Sequence, residues 1–322
     1  MGEIPLHELN KISFASFVFH LRATTELYLP PYKGSTLRGA FGIVFKDTVC
    51  VMDHRDCDRC ILRLKCAYPY IFDTPVPEGS TRMRKYQRAP HPFVIEPPLD
   101  VRTTYHPGDS LSFRLTLVGK AIDYLPYFIY TFERLGRECG IGKGRGRFEI
   151  EKVTWIDAEG LEREIYDGRK KVLTSSVRAL TLQDVSIAPN GCHATLHYLT
   201  PTRITYNGEL HTTPEFHVVI RNLLRRLSNL SYFHCGEDLK LDFKSIIERA
   251  EAIEMHDDNI KWHDWERYSA RQDTRMKMGG FVGKVEYQGE LGEFLPLLKL
   301  GERIHVGKGT GFGLGRYAIL SE

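Results

Sequence analysis

The feature that most narrows the fold of this chain is an internal repeat built around glycines. His305-Val306-Gly307-Lys308-Gly309-Thr310-Gly311-Phe312-Gly313-Leu314-Gly315-Arg316-Tyr317 sets five glycines among a lysine and an arginine. An earlier stretch has the same pattern. Leu135-Gly136 followed by Gly142-Lys143-Gly144-Arg145-Gly146 matches Leu300-Gly301 followed by Gly307-Lys308-Gly309-Thr310-Gly311, each pair 165 positions apart. Val118-Gly119-Lys120 and Val282-Gly283-Lys284 match at 164 positions. Repetition constrains architecture more than any single motif. Each copy reads as strand, turn, helix, glycine-rich loop and strand.

Glycine lets a backbone approach a ligand and reach positive φ. Successive exposed N–H groups then form an anion-binding concavity, to which lysine and arginine add charge. A Walker loop is excluded, because Gly-Lys must be followed by Ser or Thr and a helix, and Lys308 is followed by Gly309. A dinucleotide fingerprint needs a strand before and a helix after. Here Leu291, Phe294, Leu295, Leu297 and Leu298 precede as a helix that Gly301 ends, and residues 313–320 follow as a strand. Taken alone, the run reads equally as a mobile turn without a ligand; the second copy favours a function.

The fronts of the two halves also agree. Ile12, Phe14, Phe17, Phe19 and Leu21 alternate along residues 12–22, as in a half-buried strand. Pro30-Pro31 interrupts the chain, and residues 34–49 read as a helix with Leu37, Phe41, Val44 and Phe45 on one face. In the second half, residues 193–205 are strand-like and Pro214 marks a helix start. Phe216, Val219, Ile220, Leu223, Leu227 and Leu230 follow at helical spacing. Each half is β-α-β-β-α-β, the split unit of the ferredoxin-like fold. The expected fold class is α+β, with two tandem ferredoxin-like (RRM-like) domains at 1–160 and 185–322. A cysteine-rich, zinc-binding insertion interrupts the first at about 50–100.

With 322 residues and 42% hydrophobic side chains, the chain can bury two cores. A net charge of +3 does not by itself demand nucleic acid. Local charge says more. Arg82, Arg84, Lys85 and Arg88 cluster, as do Lys143, Arg145 and Arg147, and Arg267, Arg271, Arg275 and Lys277. Any one cluster is explained by a solvated face, but three favour a basic groove. Residues 1–10 lack the basic start and apolar core of a secretory signal. No apolar run approaches the ~20 residues of a membrane span. The expectation is a soluble, cytoplasmic protein that does not engage membranes.

Four of the seven cysteines, Cys50, Cys57, Cys60 and Cys66, are spaced C-x6-C-x2-C-x5-C. In a cytosolic chain this cluster points to a metal rather than to disulfides. Four thiolates close a tetrahedral zinc site with no open position, so the site is structural, not catalytic. His54 is an alternative ligand. An iron–sulfur cluster and four free thiols are the other readings.

The paired units and the glycine run resemble the RAMP superfamily of CRISPR proteins, in its precursor-crRNA processing endoribonuclease branch. So do Gly34-Ser35-Thr36-Leu37-Arg38-Gly39-Ala40-Phe41-Gly42, Leu199-Thr200-Pro201-Thr202-Arg203, Arg267-Tyr268-Ser269 with Arg271-Gln272, and Gly279-Gly280-Phe281-Val282-Gly283. The resemblance covers nearly the whole chain and is strongest from 199 to 320. It implies that repeat RNA is held in a basic groove and cut once without metal. The RNA's own 2′-OH attacks the adjacent phosphate, leaving a 2′,3′-cyclic phosphate and a 5′-OH. Product retention and association with CRISPR effector subunits are also implied. The RNA-contacting role carries over to Gly307, Lys308, Gly309, Gly311, Gly313 and Gly315, and is extended to Arg316, Lys143, Arg145 and Arg271.

Many members place a catalytic histidine in or near the first helix, helped by a tyrosine and a lysine. Residues 34–49 contain no histidine. His305, beside the glycine run, and His54 are the candidate bases, because an imidazole exchanges protons near neutral pH. Tyr32 and Lys33 are the candidate helpers, a lysine serving to stabilise the charged phosphorane. His20 lies on the first strand. The missing helix histidine keeps a second reading open, a non-catalytic RNA-binding RAMP subunit of an effector complex. A zinc-stabilised protein that binds a phosphorylated small molecule is the third.

Overall fold

In the computed structural model, which describes residues 3–53, 55–174, 177–187, 192–269 and 274–320, the chain is a mixed α/β protein with antiparallel sheets. It divides into two compact units. One comprises Ser13–Leu180 with Phe233–Gly236, the other Met1–Ile12, Thr181–Tyr232 and Glu237–Glu322. Along the chain, helix α1 (Leu6–Leu9) precedes strand β1 (Phe14–Ala23), β2 (Leu27–Tyr28), α2 (Gly34–Val49) and α3 (Ala67–Phe72). Then come β3 (Phe93–Glu96), β4 (Thr104–Tyr105), β5 (Ser110–Val118), α4 (Leu125–Arg134), β6 (Phe148–Ile156), β7 (Glu162–Asp167) and β8 (Val172–Leu173).

The sheet of this first unit runs β3-β5-β1-β6-β7-β8, with every pairing antiparallel. The alternation in β1 decides which face is covered. Phe17, Phe19 and Leu21 lie within one buried cluster with Leu37, Phe41 and Phe45 of α2 and Phe128 and Phe132 of α4. Phe41 stacks on Phe128 with centroids 4.6 Å apart, and Phe19 on Phe113 at 4.9 Å. The other face carries Ser16, Val18, His20 and Arg22. The sheet continues past residue 160, where the first domain was expected to end, because β7 pairs with β6.

In the second unit, β9 (His193–Thr202) leads through a hairpin of β10 (Ile204–Tyr206) and β11 (Glu209–His211) to α5 (Phe216–Leu230). Then follow α6 (Phe243–Ala250), β12 (Glu254–His263), β13 (Glu266–Ser269), β14 (Thr274–Lys277), β15 (Gly280–Gln288), α7 (Leu295–Ile304) and β16 (Tyr317–Leu320). The main sheet order is β12-β15-β9-β16, again antiparallel. Counting the first strand of each unit as one, both sheets contain the order two-three-one-four.

Two sequence equivalences change in the structure. Gly119 opens a 3-10 turn after β5, whereas Gly283 lies inside β15, so the Val-Gly-Lys match is not structural. Gly301 does not end α7 but sits within it. A Cβ there would stand 2.1 Å from the Tyr317 hydroxyl, which donates to the Leu298 carbonyl. Close packing, not helix termination, is the reason for glycine at that position. Among the described residues no helix is long and apolar enough to cross a membrane.

Candidate nucleic-acid interface

The earlier glycine loop is a tight hairpin. Ile141 and Gly146 exchange backbone hydrogen bonds at 2.9 and 3.0 Å, and Lys143 N–H donates to the Tyr28 carbonyl at 2.9 Å. Gly142 must be glycine, since its φ is +72° and a Cβ would lie 2.2 Å from the Tyr28 carbonyl oxygen. The loop is therefore pressed onto the short strand β2, while Lys143 and Arg145 point into solvent. That is the disposition expected of phosphate-binding cations.

β2 and the turn after β4 place three titratable groups beside this loop. His106 Nδ1 lies 3.3 Å from Glu26 Oε1, and the Tyr28 hydroxyl donates to the other Glu26 oxygen. The Tyr28 bond, then the bond from His106, holds the Glu26 carboxyl below the usual carboxylate range. The same bond raises the Tyr28 phenol, which stays protonated. The His106 side chain is 65% exposed. A carboxylate accepting at Nδ1 fixes the tautomer in which Nε2 carries a lone pair, the form that takes up a proton. These are exposed groups, and Tyr28 lies directly against the hairpin that carries the exposed cations Lys143 and Arg145. Periodicity could not reveal the arrangement, because His106 lies 80 residues from Glu26.

The later glycine run behaves differently. Gly311, Gly313 and Gly315 are buried, and Lys308 alone between residues 305 and 316 is exposed. The N–H groups of Val306, Lys308, Phe312, Gly313, Gly315 and Arg316 already bond to acceptors in the chain, among them Arg203 and Pro201 carbonyls and the Thr200 hydroxyl. The backbone is thus spent on packing against the end of β9, and the open cradle expected there is reduced to Lys308, with Arg316, Gly307 and Gly309 half-buried.

The candidate bases and helpers also move. His305 is fully buried, with φ +64° as the residue ending α7, and its Nδ1 lies 3.0 Å from the Leu314 carbonyl. It braces the loop from inside and presents no ring to solvent. Lys33 is equally buried, and its ammonium bonds to the Pro31 and Asp100 carbonyls and the Asp100 carboxylate. This corrects the expectation that either residue faces RNA directly. Both are buried because each ties a turn to its own unit. Tyr32 is half-buried just before α2. His54 and Arg271 lie outside the described residues. His20 forms a second histidine–carboxylate pair, 3.1 Å from Glu162 Oε2, on the β1 face away from the helices.

Cys50, Cys57, Cys60 and Cys66 line one small cavity of about 20 Å³ with Lys46, Arg55 and Asp56. Burial, with Cys50 and Cys66 nearby, pushes the Cys57 thiol up. The four cysteines line one pocket, but among the described residues no three His, Cys, Asp or Glu side chains converge as a ligand set.

Residues 11–178, more than half of the chain, match the family model AF_1859_N, described as an N-terminal domain. Residues 196–317 match the model of the CRISPR-associated endoribonuclease Cas6. A relative from Archaeoglobus fulgidus, described as an uncharacterized protein, is 25% identical over 92% of this chain and 94% of its own. Among solved structures, the product complex of Cas6 (TTHB231), a Thermus thermophilus protein, superposes with a TM-score of 0.58 at 17% identity, over 95% of this chain and 100% of that one. A partial Cas6-RT-Cas1–Cas2 complex superposes with a TM-score of 0.60 at 14% identity, over 97% of this chain and 46% of that one. At these identities the structural likeness establishes the fold.

Proposed function

The chain belongs to the RAMP superfamily of CRISPR-associated processing endoribonucleases, with the AF_1859_N domain in its first half and the Cas6 model in its second, and from that membership we propose that it cuts CRISPR repeat RNA to mature crRNA. The observation that carries this reading is the exposed His106–Glu26–Tyr28 group beside the Lys143–Arg145 hairpin. His106 Nε2 removes the proton from the RNA 2′-OH, which attacks the adjacent phosphate. Lys143 and Arg145 neutralise the charge that builds on the phosphate oxygens. The Tyr28 phenol stays on Glu26 and holds the carboxylate that orients the His106 ring. The protonated His106 gives its proton up to the leaving 5′-oxygen, directly or through solvent, and a 2′,3′-cyclic phosphate remains. No metal is required in this sequence of steps.

The strand orders of the two units support tandem ferredoxin-like domains; against the sequence-based bounds 1–160 and 185–322, the first unit runs on to Leu180 and residues 1–12 go with the second. Four cysteines lining one cavity support a structural zinc ion, whose binding would have to draw their separated side chains together. They would hold it as thiolates and fix the loop after α2, away from the chemistry. Tyr32 and His54 remain candidates for the cutting step, and Lys308, Arg316 and Arg271 for binding. The reading places the protein in the cytoplasm, with crRNA and CRISPR complex subunits as partners.

The test is cleavage of labelled repeat RNA in chelator, with and without a 2′-deoxy substitution at the scissile nucleotide. Cleavage of the unmodified RNA alone is expected. His106→Ala lowers the rate by about 10²–10⁴-fold with RNA affinity retained. Cleavage at the wild-type rate by His106→Ala rejects His106 as the base. Tight binding without cleavage by the wild-type chain identifies a non-catalytic RNA-binding subunit instead.

A further inference from the structure

A cavity of about 360 Å³ lies on the first unit. Its lining combines an apolar floor of Pro126, Ile129 and Leu173 with Tyr130, Glu133, Arg134, Arg137, Glu138, Tyr166 and Lys171. Helix geometry assembles one wall. Tyr130, Glu133, Arg134 and Arg137 are spaced i, i+3, i+4 and i+7, so they share a face. At the end of α4 the helix widens into a π-turn over Leu135–Cys139, a distortion found often at functional sites. Lys171, on the opposite wall, has φ +56°, a conformation that costs a non-glycine residue energy and clusters at ligand sites.

The polar groups are unequal in their commitments. Glu133 has a side chain only 9% exposed, accepting from the Tyr166 hydroxyl at 3.2 Å and from Lys171 Nζ at 2.5 Å. Each of its oxygens keeps a lone pair for a further donor. Arg134 is engaged by Glu138 and by the Thr48 hydroxyl. The Arg137 guanidinium makes no hydrogen bond or ion pair among the described residues. Tyr130 is 57% exposed, although an aromatic ring gains from cover. The cavity therefore offers an open aromatic face, a buried carboxylate acceptor and an unused planar cation. With Arg134, Arg137 and Lys171 against Glu133 and Glu138, its balance is positive.

We propose that this cavity is a nucleotide pocket, in which a base stacks on Tyr130, Glu133 accepts the base's N–H donors, and Arg137 holds the adjoining phosphate. Guanine, with adjacent N1–H and N2–H donors, suits a carboxylate best. Uracil flanks its single N–H with carbonyls that a carboxylate repels. The volume is that of a small-ligand site, and ring-on-base stacking is the usual means of holding an unpaired nucleotide. The nucleotide comes from a bound RNA strand or is free. Only the first source rests on the RNA-processing reading; the pocket itself does not.

The experiment titrates the full chain with GMP and UMP and, separately, with fluorescent repeat RNA. Wild type, Tyr130→Ala, Arg137→Ala and Glu133→Gln are compared, with thermal unfolding as the check on folding. GMP is expected to bind more tightly than UMP. Tyr130→Ala and Arg137→Ala weaken GMP, RNA or both by about tenfold. Glu133→Gln removes the preference for GMP. Weakened RNA binding identifies a strand nucleotide, and weakened GMP binding with unchanged RNA affinity identifies a free one. Folded Tyr130→Ala and Arg137→Ala variants with wild-type affinity for both probes overturn the pocket. Wild-type chain that binds GMP but leaves repeat RNA intact keeps the pocket and rejects the nuclease.

Discussion

Single side chains here divide by what their polar atoms already hold. Lys33 and His305 are spent inside the fold, whereas His106 is half-committed, one ring nitrogen to Glu26 and the other to solvent. Glu8 is a further committed residue, and it carries a pH prediction. It accepts from Lys11 Nζ at 2.7 Å and from the Lys240 backbone N–H at 2.5 Å. The Lys11 bond, then the Lys240 bond, holds its carboxyl below the usual range. The folded value is depressed, so the stabilisation is present above the unfolded value, about 4.3. It is lost as pH falls through the folded value beneath that. Thermal unfolding measured from pH 6 to pH 3 should therefore fall less steeply in Glu8→Gln than in wild type, and equal slopes would remove Glu8 from acid sensitivity.

At the scale of elements, the two glycine loops are one motif used in two ways. Gly144 stands at a solvent-exposed tip with φ +81° and nothing within 4 Å of a Cβ. Gly315 has φ +73° and would set a Cβ 1.8 Å from the Val306 carbonyl oxygen. Gly144→Ala is expected to cost about 1 kcal/mol of backbone strain alone. Gly315→Ala adds displacement of a buried backbone and costs at least about 2 kcal/mol more. Urea unfolding of the two variants checks this. Equal losses would mean that the later loop is no more tightly packed than the earlier one. The same contrast accounts for where cations stand free: on the hairpin that needs no cover, and at Lys308 alone on the loop that is covered.

For the whole molecule, a net charge of +3 is a poor guide to what it binds. Binding of RNA by a few exposed cations on one hairpin predicts a modest, assignable salt dependence. Each phosphate contact contributes about 0.7 to the slope of log affinity against log salt for a single strand. Removing Lys143 and Arg145 together should lower that slope by about 1.4. An unchanged slope, measured by fluorescence anisotropy across salt concentrations, would place the RNA elsewhere on the molecule. Metal content is a second global observable. Protein purified without added metal is expected to hold one zinc per chain, released in parallel with loss of all four thiolates' protection from alkylation.

Much of this molecule was legible in the chain. Alternation from Phe17 to Leu21 set a half-covered strand, spacing from Leu37 to Phe45 set a helix, and the 165-residue repeat announced two similar units. Those are local signals, fixed by the periods of strand and helix. The family resemblance added the proposed activity. Tertiary structure alone decided which residues are available for chemistry. His305 and Lys33 have the right side chains in suggestive places, but burial depends on what the rest of the chain lays over them. His106 and Glu26 meet only because β2 and β4 pair, and the cavity beside Tyr130 forms only because β7 and β8 extend the sheet. Exposure and pairing of distant residues are properties of packing, and no period along the chain encodes them.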